Sequence, residues 1–176
     1  THTSDIDQVL HLVCDAISRA LGFERVAVEV VDPGTGALEM RASVGWDGAP
    51  PTGVLTTADI AALCEPSHEV EGCYLWPADE AIAIVGEQSR AYESRRNGRG
   101  PLAWDHHWLL VPLVHADGHI GGWIWPDDPV DCLLPTPDRL RILRIFANQA
   151  LAAVSDAAHV DQLEALARLD GLTGVL

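Results

Sequence analysis

A chain of 176 residues that is 48% apolar can bury one compact core and still carry an appendage, while its formal charge of −15 argues against any general attraction to nucleic acid or to anionic lipid headgroups. Its four cysteines, Cys14, Cys64, Cys73 and Cys132, lack any Cys-x-x-Cys spacing, which excludes a zinc ribbon or a thioredoxin-type pair and fits reduced thiols in a cytoplasmic protein. No run of about 18 apolar residues could span a bilayer, and the first residues lack the basic-then-apolar order of a secretory leader.

Ser4 and Asp7 can cap a helix in which Ile6, Val9, Leu10, Val13, Ile17, Ala20 and Leu21 recur on one face, closed by Gly22. Arg25 to Val31 has strand composition. Asp32-Pro-Gly-Thr-Gly36 is turn chemistry, so a second strand, Leu38 to Val44, completes a hairpin. Trp46 to Val54 reads as loop, Thr57 to Cys64 as a short helix and His68 to Trp76 as one short strand. Between Ala78 and Trp104 the signals conflict: Asp79 to Arg96 has helical character, while Asn97-Gly-Arg-Gly-Pro101 is loop. This stretch gathers Arg90, Arg95, Arg96 and Arg99, either a local anion patch or a solvated loop.

Trp108 to Val114, Ala116-Asp-Gly118 and His119 to Trp125 form the clearest hairpin, with Pro112 pointing to an edge position or a bulge. Pro126 to Pro135 reads as a connection. Thr136 is a natural N-cap with Pro137 behind it, and no Gly or Pro interrupts Asp138 to Asp170. At ~1.5 Å rise per residue such a helix approaches ~50 Å, longer than a small domain is wide. It must therefore leave the domain it starts in. The order of elements is α+β rather than alternating βαβ.

Along this helix Leu143, Phe146, Ala150, Ala153, Ala157, Val160, Glu164 and Ala167 follow alternating three- and four-residue steps, the spacing with which two helices bury one seam. Up to about Ala157, Ile142, Leu143, Ile145 and Phe146 also suit packing on the chain's own sheet. Beyond it, Val160, Leu163, Leu166 and Ala167 have no domain left to cover them, which favours a parallel homodimer. A second stripe, Val160, Leu163, Ala167 and Asp170, offers a competing register through which a signal could shift the pair.

These residues resemble a GAF domain of the actinobacterial signalling type: the opening helix ending Ala20-Leu21-Gly22-Phe23, the strand Arg25-Val-Ala-Val, Val111-Pro112-Leu113, Asp117-Gly118-His-Ile-Gly-Gly122 leading into Trp123-Ile-Trp125, Asp127-Asp128-Pro129, and Phe146-Ala147-Asn148-Gln149-Ala150. The resemblance covers roughly residues 4 to 158. It implies a central antiparallel sheet with helices on one side and a ligand or regulatory pocket on the other. Leu169-Asp170-Gly171-Leu172-Thr173-Gly174-Val175-Leu176 resembles the start of a GGDEF domain, the diguanylate cyclase module that condenses two GTP into cyclic di-GMP, with Asp170, Leu172, Thr173 and Gly174 carrying the likeness. The catalytic signature of that family lies beyond Leu176, so the chain itself is expected to be no enzyme and its parent a cyclase. The organisation expected is a GAF domain over 1–157, a coiled-coil-like linker over 158–170 and the truncated start of an output domain over 171–176.

Six Trp are many beside two Phe and two Tyr. Trp123 and Trp125 share one strand face by the period of two. They fill a core, cover a dimer surface, or wall a pocket for a flat small-molecule ligand closed by Trp104 and the loop around Cys73, Tyr74 and Trp76. His106 and His107 precede the central strand on opposite faces and do not jointly chelate a metal, so no metal is expected. One of them could serve as a haem axial ligand, as in some GAF sensors. Bilin attachment, often at Cys-His, and the Asn-Lys-Phe-Asp signature of cyclic-nucleotide GAF domains have no counterpart here. No catalytic constellation is present: there is no Gly-x-Ser-x-Gly, Walker loop or His-Glu-x-x-His. Cys73, between Gly72 and Tyr74, is the better placed of two candidate redox reporters, Cys64 and Cys73, against the alternative of inert buried thiols. Three roles are open for the domain: ligand sensor, ligand-free dimerisation scaffold, or haem sensor.

Overall fold

The computed structural model describes residues 2–173, with side chains from 5 to 168. Helix α1, His2–Leu21, is closed by Gly22 at φ +69° and turns directly into strand β1, Phe23–Val31. The hairpin to β2, Leu38–Val44, turns on Asp32, whose Oδ1 accepts from the backbone N–H groups of Gly34 and Thr35 at 2.7 and 2.8 Å. Helix α2, Thr57–Ala62, is held by a capping box between Thr56 and Asp59.

The stretch expected as one strand folds as a 3₁₀ turn, Pro66–His68, and two strands, β3, Glu69–Val70, and β4, Cys73–Pro77. Glu71 and Gly72 between them both have positive φ, the conformation a two-residue type I′ connection needs. Helix α3, Ala78–Val85, stops at Gly86 (φ +105°), and a 3₁₀ segment, Glu87–Tyr92, comes next before the chain extends. The longer helix permitted by the sequence is therefore broken at its glycine.

Strands β5, His107–Val114, and β6, Ile120–Pro129, form the expected hairpin inside one six-stranded antiparallel sheet ordered β2-β1-β6-β5-β4-β3. β5 is interior. Pro112 is tolerated because the pairing with β4 ends at Leu110, and the register with β6 shifts just past it, between Leu113 and Val114. Strand β6 runs on through Trp-Pro-Asp-Asp-Pro, a stretch that reads as connection. Asp127 pairs with Arg25 and Pro129 with Phe23 in the ladder, because buried arginine neutralises the aspartates that would otherwise solvate this end.

Helix α4, Pro137–Thr173, begins at Thr136, whose hydroxyl accepts from the N–H of Arg139 at 3.3 Å. Its backbone continues through Gly171, past the expected stop at Asp170. One glycine within a long helix costs only about 1 kcal/mol relative to alanine.

The sheet is covered on both faces. Leu10, Val13, Ile17 and Leu21 of α1 and Leu140, Leu143, Ala147 and Ala150 of α4 pack on the aliphatic face made by Val26, Val28, Val30, Leu109, Val111, Leu113 and Ile124. The opposite face carries Trp76, Trp108, Leu110, Trp123 and Trp125. It is closed by α2, α3 and Tyr92. Among the described residues no helix is long and apolar enough to cross a membrane.

Candidate functional site

The aromatic face is organised around a carboxylate. Glu29 is the one acid in an otherwise apolar strand segment, and the period of two turns it away from Val28 and Val30 toward the tryptophans. It is 5% exposed and accepts a hydrogen bond from Trp125 Nε1 at 2.9 Å. Burial raises its pKa, opposed by that hydrogen bond. Tyr92 stacks on Trp125 with ring centroids 6.0 Å apart and stands edge-on to Trp108 at 6.2 Å. Its phenol is likewise pushed up by burial and then by the Glu29 charge. Gly122 in β6 is required here, because a Cβ would lie 2.4 Å from the Glu29 carbonyl oxygen.

At the end of β6 stands a second polar group. Asp128, fully buried with φ +53°, accepts from the backbone N–H groups of Arg95 (2.6 Å) and Arg96 (2.9 Å) and from Arg95 Nε (3.1 Å), with Arg25 Nε 2.9 Å away. Asp127 pairs with Arg25 and accepts from Ser94 Oγ at 2.5 Å. Its pKa is raised by burial, against the lowering effects of Ser94 and Arg25. Arg25 also lies over Trp46, 4.3 Å from the ring centroid. This network fastens the Glu93–Asn97 segment, and with it Tyr92, over the aromatic face.

The arginine cluster is thereby accounted for. Arg95 reaches Asp47 and Asp128, Arg96 pairs with Glu24, and Arg90 with Glu87, so three of its four members have acidic partners and do not form an open anion patch.

The residues singled out in the sequence divide between the two faces. Tyr74, Trp76, Trp123 and Trp125 do meet, and Trp76 donates from Nε1 to the Leu63 carbonyl at 2.9 Å while stacking on His68. Trp104 and Cys73 belong to the aliphatic core instead. Trp104 meets Phe23 edge-on and donates to Ser94 Oγ at 3.0 Å. Cys73 points at α4, its Sγ 3.8 Å from the Leu140 carbonyl, and burial pushes its thiol up to about 12. Such a thiol holds little thiolate, which deprives the redox reading of its nucleophile. Cys64 is pushed up to about 11 by burial as well.

His106 lies just before β5 and lines the cleft beside Ile82, while His107 opens the strand and lines the gap beside Trp46. His106 is exposed with φ +48°; His107 Nδ1 accepts from the Asp105 N–H at 2.9 Å, and burial lowers its pKa. The gap beside His107, among Trp46, Tyr92, Trp108 and Trp125, is about 30 Å³, and a cleft under the 3₁₀ segment, lined by Ile82, Ser89, His106 and Trp108, is about 150 Å³. Pockets for small organic ligands run about 300–1,000 Å³. The aromatic face is therefore filled by its own side chains. Among the described residues no three His, Cys, Asp or Glu come together as a metal site.

On α4, Leu143 and Ala150 are fully buried, and Phe146, Ala153 and Ala157 are half-buried, so this part of the expected dimer stripe serves the chain's own core. From Ala158 to Arg168 every side chain is exposed, including Val160, Leu163, Leu166 and Ala167. Asp170, Leu172, Thr173 and Gly174 lie outside the described side chains.

Glu29 and Tyr92 carry this site without having been singled out from the sequence, and Trp46 and the Asp127–Asp128 pair join it without having been expected there. The legible signal was Glu29 itself, a lone acid inside Val-Ala-Val-Glu-Val-Val. Tyr92 reaches the face only through the break at Gly86.

No family model and no curated protein matches the chain. Solved structures do. A GAF domain/HD domain protein from Geobacter sulfurreducens superposes with TM-score 0.62 at 14% identity over 89% of this chain and 95% of that one. The GAF domain of an Acinetobacter phosphoenolpyruvate-protein phosphotransferase gives 0.60 at 14% over 88% and 85%. A methyl-accepting chemotaxis protein fragment gives 0.61 at 20% over 87% and 89%. The fold is that of GAF domains. At these identities the likeness establishes the architecture, a six-stranded sheet between a helix pair and a layer of short helices, and leaves the chemistry to the residues of this chain.

Proposed function

We propose that this GAF-fold domain is a regulatory module that works as a homodimer and controls a downstream diguanylate cyclase through α4. The observation that carries the reading is the form of that helix. Its first half is buried against the sheet, and its second half, fully exposed from Ala158, presents Val160, Leu163 and Leu166 to solvent. A helix anchored in a core and apolar beyond it transmits the core's state to a partner outside. The Asp-Gly-Leu-Thr-Gly likeness after Leu169 supports a cyclase as the output module, in a reading that makes 1–157 the sensor body, 158–170 the linker and 171–176 the start of the output domain. Two cyclase modules must meet face to face, so the geometry of a helix pair is a sufficient control. The chemotaxis neighbour by its name, and the GAF/HD neighbour by its pairing of a GAF domain with a second domain, support the regulatory reading.

Within that role the filled aromatic face supports the ligand-free scaffold over a sensor that holds a flat ligand or haem among its tryptophans. A melting shift with a flat organic compound, abolished by Trp125→Ala, would reverse that preference, and a Soret band after purification with iron supplied would establish haem. The regulatory reading is tested by measuring mass with and without residues 157–176 and by assaying the product of the longer reading frame for GTP condensation. A dimer that becomes monomeric on truncation and a GTP-condensing product are expected. A monomer in both forms, or an inert product, overturns the corresponding part.

A further inference from the structure

We infer that a separate cavity, on the side of the sheet covered by α1 and α4, binds a small aliphatic diamine between Glu39 of β2 and Asp161 of α4. The cavity opens beside the β1–β2 and β5–β6 turns, where Asp32 and His119 reach its rim. Its volume is about 320 Å³, within the range of small-molecule sites, whereas both gaps on the aromatic face fall below that range.

The walls specify the ligand. Ile6 of α1, Val30 and Val31 of β1, and Val154 and Ala158 of α4 make an apolar lining that suits a chain of methylenes. Glu39 and Asp161 line the same space from separate elements, and among the described residues neither has an ion pair or a hydrogen bond. Asp32 commits Oδ1 to the N–H groups of its own turn. Arg41, the one arginine on the lining, is held at 2.7 Å by Asp7, which does not line the cavity. The lining is therefore acidic with its only arginine already neutralised. An anion is repelled there, and an uncharged molecule leaves both carboxylates unpaired. Carboxylates beside an apolar, half-enclosed space attract an ammonium more strongly than they do in open water, because less solvent screens the pair. Two of them on different walls, with hydrocarbon between, select a short chain carrying a cation at each end.

His115 and His119 complete the lining, their rings stacked in parallel with centroids 4.0 Å apart. Gly121 makes room for the first of them, since a Cβ there would come within 2.3 Å of His115 Nε2. Burial and then the neighbouring His119 lower the pKa of His115, which leaves it an uncharged acceptor at neutral pH rather than a competing cation. His119 is steadied by Asp117, with Nδ1 2.5 Å from the carboxylate. An alkylammonium has three N–H donors, more than one carboxylate uses, and His115 offers a further acceptor. Asp161 belongs to the half of α4 whose side chains are all exposed, whereas Glu39 belongs to the sheet. A diamine spanning them fastens the start of the protruding helix to the domain. That consequence would give the regulatory reading of α4 an effector, but the binding site itself does not rest on that reading.

The test titrates the whole chain with 1,5-diaminopentane and follows amide NMR shifts at about 150 mM salt, where long-range attraction to a chain of charge −15 is screened. Saturable shifts should gather at residues 39, 119–121 and 155–161. Glu39→Gln and Asp161→Asn should each weaken binding about fivefold, as loss of one partly exposed ion pair does, and pentylamine should bind about fivefold more weakly than the diamine for the same reason. Ala158→Phe should abolish binding by filling the cavity, with an unchanged circular dichroism spectrum because Ala158 is exposed. Glu65→Gln removes the same charge from an exposed position outside the cavity and should change nothing. Shifts spread over the acidic surface without saturation overturn the site, as does binding indifferent to Ala158→Phe or weakened equally by Glu65→Gln. Pentylamine bound as tightly as the diamine overturns the bridge between Glu39 and Asp161. The mass measurement and the GTP assay are unaffected by any of these results, so failure of the site and failure of the regulatory reading are told apart.

Discussion

The two faces of the central sheet are covered by opposite means. The face under α1 and α4 is aliphatic and closed by two long helices, with Leu143 and Ile17 fully buried between them. The other is built from tryptophan and tyrosine, closed by helices of six and eight residues and a 3₁₀ segment, and holds a buried acid. Long helices carry most of their own backbone hydrogen bonds and need only apolar contact to stay in place. Short segments must be tied down, and here the ties are ionic: Asp128 and Asp127 hold the backbone that positions Tyr92. The aliphatic face is thus stabilised by shape and the aromatic face by polar anchors at its rim.

Four substitutions, monitored by urea denaturation, break or sharpen that contrast. Asp128→Ala should be the most damaging, at about 4 kcal/mol, because Arg25 would remain buried opposite a lost carboxylate and two backbone N–H groups would lose their acceptor. A cost below about 1 kcal/mol would show that the rim is not held ionically. Leu143→Ala on the aliphatic face should cost about 3 kcal/mol through the cavity it leaves. Tyr92→Ala, a half-buried ring on a short segment, should cost about 1.5 kcal/mol and leave α4 unperturbed in hydrogen exchange.

Glu29→Gln is the smallest and has the opposite sign. Burial raises the Glu29 pKa above its unfolded value, so its ionisation opposes folding, and that penalty develops as pH rises from the ordinary carboxylate range through the raised folded value. Glutamine keeps an oxygen for Trp125 Nε1 without the charge. The variant should be about 1 kcal/mol more stable at neutral pH and lose that advantage toward pH ~4, where Glu29 takes up its proton. A variant less stable at neutral pH would mean that the carboxylate charge is required on the aromatic face.

How much was legible beforehand varied by region for physical reasons. The first helix, the β1–β2 and β5–β6 hairpins and the start of α4 are written in local terms: Gly22, Asp32, the Asp117-Gly118 turn and Thr136 each satisfy backbone groups a few residues away. The stretch from His68 to Trp104 was not, because its breaks at Glu71-Gly72 and Gly86 compete with continuous apolar patterns, and its final course is set by Asp127 and Asp128 more than 30 residues later. The candidate site was half legible. Trp123 and Trp125 share a face by strand periodicity alone, whereas the departure of Trp104 and Cys73 to the other core depends on how β4 and β6 sit in the sheet.

The amino-acid sequence by itself determined that this is an α+β chain ending in a helix too long for its domain, because hydrophobic period, capping residues and turn glycines act over a few residues. Only the tertiary structure decided which side of that helix is spent on the core and which is left exposed. Stripes one residue apart both carry apolar side chains at helical spacing, and which of them meets the sheet depends on how Thr136 and the arginine contacts at the helix start set its rotation.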